Sequence, residues 1–152
     1  MSTGSMLLHR MKIGLRASAV VALMGAGLVA IAASPASATT ASGDCSARDY
    51  GPMCYFFRSN YGGARAAING WVGDLYAYEF SNTGAGAFQD VANNAGSGIN
   101  VDRKCLAQIW EHVNSTGRVK ELNYYGYLGD RDSTLDELNN NNRSQSWRDC
   151  LL

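Results

Sequence analysis

The chain of 152 residues is poor in histidine, with two, and has no cluster of basic residues, since 13 Lys and Arg are set against 13 Asp and Glu. One histidine lies in the N-terminal stretch and the other, His112, stands alone, so no His-x3-His zinc pair exists. There is no C-x-x-C pair, which sets aside a redox motif, and no G-x-S-x-G nucleophile elbow. Without a basic run the chain lacks what a nucleic-acid binder uses to neutralise phosphates. No aromatic residue precedes Cys45, and residues 1–38 contain no acid. The neutral total therefore averages two unlike segments. Residues 1–38 carry only Arg10, Lys12 and Arg16, so removing them leaves 114 residues with 10 basic and 13 acidic side chains, a charge of about −3.

The first segment has the parts of a secretory signal. A basic stretch ending at Arg16 precedes an uncharged run from Ala17 to Ala33, and Pro35 is followed by Ala36-Ser37-Ala38. A positive region, an apolar region and an A-x-A site predict cleavage after Ala38. The run is slightly short for a membrane span and rich in Ala and Gly, which favours a leader over an anchor. Met1, Met6 and Met11 each offer a start. Secretion makes Cys45, Cys54, Cys105 and Cys150 an even set suited to two disulfides. Three connectivities exist. The favoured one joins Cys45 to Cys54 around a Gly-Pro turn and Cys105 to Cys150, tying the final tail to the start of the second half.

Residues 39–44 are small and polar and are expected to form a flexible lead-in. A chain of 114 residues allows one domain, 45–152. Short runs rich in aromatic and aliphatic residues, at 53–58, 66–72, 75–80, 106–113 and 118–125, are separated by Gly-Gly, Asn-Gly, Thr-Gly or Gly-Asp and predict strands. Only Thr134-Leu135-Asp136-Glu137, a capping-box pattern running into Leu138, signals a helical turn. The expectation is an all-β sandwich or barrel.

The chain also repeats itself. Phe56 stands seven positions before Gly63 and Trp110 seven before Gly117, an offset of 54; Asn93-Asn94-Ala95-Gly96-Ser97 parallels Asn140-Asn141-Asn142-Arg143-Ser144, an offset of 47. Two like halves, about 53–100 and 105–150, are implied, with seven more residues in the first, assigned to a flexible stretch from Ser81 to Ala87. In each unit an aromatic ring would pack on a folded hairpin while the glycine supplies a conformation closed to residues with a Cβ. The Asn-Asn-x-x-Ser loop would satisfy backbone groups with side-chain amides and a hydroxyl.

These residues resemble the βγ-crystallin Greek key, with its aromatic-x6-Gly hairpin and (Asn/Asp)-(Asn/Asp)-x-x-(Ser/Thr) loop. More closely, the chain resembles the secreted bacterial metalloproteinase-inhibitor family, small exported peptidase inhibitors of βγ-crystallin type. The likeness rests on the leader, Cys54, Asn60-Tyr61-Gly62-Gly63-Ala64, Asp74-Leu75, Asn93-Asn94-Ala95, Cys105, and Leu138 to Asn142 leading to Ser144 and Trp147. It implies a βγ-crystallin-like double Greek-key sandwich, an extracellular protease as partner, a monomer free of the membrane after cleavage, and no catalysis. The reactive segment is expected in one of three turns, around Gly62-Gly63, Thr116-Gly117 or Gly126-Tyr127-Leu128-Gly129. The resemblance also implies a calcium role. Asn94, Ala95 and Ser97 would ligate in one loop, and Asn141, Asn142 and Ser144 in the other. All these side chains are neutral, and Gly98 and Gln145 stand where the family has a further serine, so weak binding or none is expected, and no cofactor is required. A calcium-binding extracellular module is the second reading.

The third reading is a small secreted hydrolase using Glu111 and His112, which are adjacent. Neighbouring strand residues point to opposite faces, which argues against a shared site. Trp71, Trp110 and Trp147 could line a sugar-binding face but are expected to serve the core. Asp130-Arg131-Asp132 and Asp136-Glu137 read as a solvated acidic surface.

Overall fold

A computed structural model of the chain describes residues 37–81 and 83–152. The leader expected over 1–38 thus lies outside the described residues, apart from its last two. Nine strands follow in order: β1 (Thr39–Thr40), β2 (Met53–Arg58), β3 (Gly62–Ile68), β4 (Tyr78–Glu79), β5 (Ser97–Asn100), β6 (Leu106–His112), β7 (Thr116–Leu122), β8 (Arg131–Asp132) and β9 (Ser144–Arg148). Two single 3-10 turns, Leu75–Ala77 and Asp136–Leu138, complete the regular structure of the described residues.

Alternation drives the hairpins. In β2, Met53 and Tyr55 face one cluster of buried side chains while Cys54 and Phe56 face another, the pattern of a strand covered on both sides. β2 pairs antiparallel with β3, and β6 with β7, each with a shift in register, between Phe56 and Arg58 and between Trp110 and His112. The bulges sit at equivalent positions, 54 residues apart. Asn60, Tyr61 and Gly63 take φ of 56°, 60° and 80°, and Asn114, Ser115 and Gly117 repeat this with 56°, 58° and 83°. The duplicated sequence is a duplicated backbone.

The sheets are interleaved. One runs β3-β2-β5-β8 and the other β7-β6-β9. β8 of the second half pairs with β5 of the first, and Val72 of the first half bridges Gln145 of β9 with hydrogen bonds of 3.0 Å in both directions. Each Greek key therefore lends a piece of chain to the other's sheet. Met53, Tyr55, Ile68, Leu75, Phe80, Ile109, Leu122 and Leu138 form the shared core. Both favoured disulfides are present, Cys45 to Cys54 and Cys105 to Cys150, and the described residues contain no free cysteine.

Several expectations are corrected. Residues 39–44 are not a loose lead-in: β1 runs parallel to β4, Ala41 is buried with its N–H bonded to the Glu79 carbonyl at 2.8 Å, and the Ser42 carbonyl accepts from Ala67 at 2.7 Å. The run 66–72 is displaced, because Gly62 and Gly63 open β3 rather than end a loop, and 75–80 is a 3-10 turn followed by two strand residues. Thr134 does not form a reciprocal capping box, since Leu135 occupies the cap at φ 53° with no side-chain cap bond and Glu137 turns to Arg118. The seven-residue excess is a difference between two insertions. Val72 and Val91 are 19 apart against six for Asp132 and Leu138, whereas Ile68 and Val72 are four apart against ten for Leu122 and Asp132. The first insertion is packed down rather than free: the Ala85 carbonyl accepts from Ala64 at 2.8 Å, and a Cβ on Gly86 would lie 2.1 Å from the Phe57 ring.

Candidate functional site

Each Asn-Asn loop is bolted to its own hairpin and to its counterpart. The Ser97 hydroxyl donates to the Arg58 carbonyl at 2.6 Å and accepts the Tyr61 N–H at 2.9 Å, and Ser144 does the same with the His112 carbonyl at 2.6 Å and the Ser115 N–H at 3.0 Å. Between the loops, Asn93 donates its N–H to the Asn142 carbonyl at 2.7 Å and Asn140 donates to the Ala95 carbonyl at 3.0 Å. Buried Asn142 adds a bond from its Nδ2 to the Val91 carbonyl at 2.9 Å and accepts from the Ala95 N–H at 3.2 Å.

This arrangement offers a calcium ion few free oxygens. The carbonyls of Ala95 and Asn142 accept from the opposite loop, each serine oxygen accepts a hairpin N–H, and the set holds no carboxylate, whereas calcium wants six to eight oxygens. Asn94 donates its amide to the Asp90 and Ala92 carbonyls, and Asn141 donates its to Glu111 at 3.0 Å. The loops are the seam between the halves.

Glu111 is an ion-pair partner. Its carboxylate takes Arg118 at 2.6 and 3.0 Å, and these bonds, with the Arg118 N–H and Asn141, hold its carboxyl down at about 2. A carboxylate kept ionised at neutral pH is a poor general acid and a weak base. His112 is exposed and shares no hydrogen bond with it among the described residues. The tryptophans use their indole N–H groups internally: Trp71 to Ser115, Trp110 to Ser146 and Trp147 to the Gly70 carbonyl.

Beside the Glu111 partner Arg118 lies a cleft of about 360 Å³ that the sequence does not announce, lined by Arg118, Val119 and Lys120 of β7 and by Leu135 to Leu138. Its cations are already matched, Arg118 by Glu111 and Glu137, and Lys120 by Asp132 and Asp136. Only a comparison of the duplicated positions would have found it, because Arg118 and Lys120 stand where the first half has buried Ala64 and Ala66.

Of the three candidate turns, two are hairpin tips. Asn60 at the first is tied to the Ser133 carbonyl at 2.7 Å, and the second is tied through the Asn114 N–H to the Gly73 carbonyl at 2.8 Å and exposes polar Asn114 and Thr116 beside Val113. The third differs. From Asn123 to Gly129 the chain is uncharged, and its backbone is fixed by the Asn123 N–H to the Gly129 carbonyl (2.9 Å), the Asn123 side chain to the Leu128 carbonyl (3.1 Å) and the Tyr127 N–H to the Tyr124 carbonyl (3.1 Å). Gly126 and Gly129 take φ of 90° and 88°, as the turn requires. Asp130 closes it by accepting the Gly126 N–H at 2.9 Å, with Arg131 beside it at 2.7 Å keeping its carboxyl below the usual range. At the tip Tyr127 is 62% and Leu128 99% exposed.

No family model matches the sequence, and no curated protein matches it. A solved structure described as "Evolution of the eye lens beta-gamma-crystallin domain fold" is similar with a TM-score of 0.54 and 14% identity, over 72% of this chain and 96% of that one. The chain has the βγ-crystallin domain fold. With it come the two disulfides and the paired Greek keys described above, and the βγ-crystallin likeness read from the hairpin and loop motifs holds at the level of fold. No helix among the described residues is long and apolar enough to cross a membrane.

Proposed function

We propose that the protein is a secreted peptidase inhibitor that blocks an extracellular metalloprotease through a rigid exposed turn, by binding rather than by chemistry. The observation that carries this is the Asn123–Asp130 segment, a turn braced by several backbone and side-chain hydrogen bonds with Tyr127 and Leu128 turned outward. An inhibitor must enter a protease cleft without a large ordering cost, and a pre-fixed backbone lowers that cost. The leader motif and two disulfides suit an oxidising compartment outside the cell. The resemblance to the metalloproteinase-inhibitor family supplies the target class.

The test is to incubate residues 39–152 with a panel of extracellular metalloproteases and serine proteases. Inhibition of a metalloprotease at micromolar concentration or below is expected; a panel untouched at that level overturns the proposal.

A further inference from the structure

We infer that Leu128 is the anchor of the inhibitory turn, and that the pocket receiving it is the apolar, uncharged primary-specificity pocket of the target protease. This rests on the inhibitor reading above.

An isolated exposed leucine is ordinary on a protein surface and needs no explanation. Leu128 is different in what surrounds it. Its side chain is 99% exposed while its own carbonyl is fixed by Asn123, so the backbone is held and the side chain left without a partner. The frame reaches well beyond the turn. The Tyr124 hydroxyl donates to the Asp149 carbonyl at 2.7 Å, next to the Cys105–Cys150 disulfide, and the Tyr124 ring meets Tyr127 edge-on at 5.9 Å. At its base Asp130 is buried, and its carbonyl accepts the Asn100 N–H from β5 at 2.8 Å. The turn is thus clamped to one sheet and to the disulfide-tied tail, while its tip projects an aliphatic group flanked by an aromatic one.

Such a tip suits a concave apolar pocket, where one well-buried anchor commonly dominates the affinity. The absence of charge from Asn123 to Gly129 argues against a protease whose pocket selects basic or acidic side chains.

The wild-type chain, Leu128→Asp and Leu128→Met are titrated against the protease panel, with Leu152→Asp as a control at a leucine equally exposed elsewhere. The expected result is inhibition of a metalloprotease with an apolar pocket, a loss of about 30-fold or more for Leu128→Asp, near-wild-type binding for Leu128→Met, no change for Leu152→Asp, and unchanged melting temperatures throughout. A wild-type chain that inhibits while Leu128→Asp inhibits within twofold overturns the anchor and leaves the inhibitor reading standing. A wild-type chain that inhibits nothing overturns both.

Discussion

In the first half, β3 turns Ala64, Ala66 and Ile68 inward, and the insertion from Val72 to Val91 lies over them, with Phe80 buried against Phe57 at a centroid distance of 5.8 Å. In the second half, the same positions of β7 hold Arg118, Lys120 and Leu122; Leu122 is buried in the shared core, but Arg118 is exposed, Lys120 is half-buried, and the segment that meets them, from Asp132 to Leu138, is short. The cations are matched instead by Glu111, Asp132, Asp136 and Glu137. The two keys share a backbone down to the bulge and the left-handed residues and both feed the core, yet the first covers its hairpin with apolar residues while the second carries cations there and closes its tail with a long disulfide. Apolar burial is worth about 25 cal/mol per Å², whereas an exposed ion pair contributes little, so the first hairpin should contribute more to stability than the second. The second half has spent its extra length on the Asn123–Asp130 turn.

The contrast breaks most severely at Phe80. Phe80→Ala removes a fully buried ring from the covering insertion and is expected to cost about 3–5 kcal/mol in a urea titration; a cost near 1 kcal/mol would mean that the cover does not stabilise the first half. Next come the disulfides. Cys105 and Cys150 are 45 residues apart and Cys45 and Cys54 nine, so by loop-closure entropy removing the first should cost about 4 kcal/mol and the second about 2.7. Equal losses would deny the second half its greater dependence on a cross-link. Ser97→Ala and Ser144→Ala each strand a hairpin N–H and carbonyl, and about 1–3 kcal/mol is expected for both, since the duplicated clamps match within 0.1 Å. The glycines sharpen the comparison. A Cβ on Gly63 would meet the Ala85 carbonyl oxygen at 2.8 Å, and one on Gly117 would meet the His112 ring, which can move, so Gly63→Ala should destabilise more.

The smallest effects are electrostatic. Arg118→Met should change stability near the limit of detection, and the change should shrink further in high salt. Glu111 and Asp130 have carboxyls held below their ordinary values by arginine, so the unfolded chain takes up their protons first. The contribution of Glu111 is complete above about pH 4.5 and is lost as the pH falls toward 2, and that of Asp130 is likewise lost on the acid side. Amide exchange should therefore rise in β7 before β3 on acidification; the reverse order would contradict the assignment of charge to the second half.

Much of this was legible. The bounds of Met53–Arg58 are readable because its aromatic run is flanked by a Gly-Pro turn and an Asn, and the duplication is readable from Phe56, Gly63, Trp110 and Gly117. β5 and β9 carry no apolar alternation, because Ser97, Asn100 and Ser144 are buried polar residues bonded to the backbone and Gln145 is buried with its amide N–H groups given to the Ile68 and Gly70 carbonyls. β8 consists of two charged residues borrowed by the other sheet, a topology that local pattern does not encode. Among the three turns, spacing alone could not choose, since the exposure of Leu128 follows from the tertiary clamp on Asn123 and Asp130.

The most direct test of the account is the inhibition constant of residues 39–152 against an extracellular metalloprotease with an apolar primary pocket. Tight, stoichiometric inhibition at micromolar concentration or below is the expected result, and full protease activity in the presence of excess folded protein would contradict it.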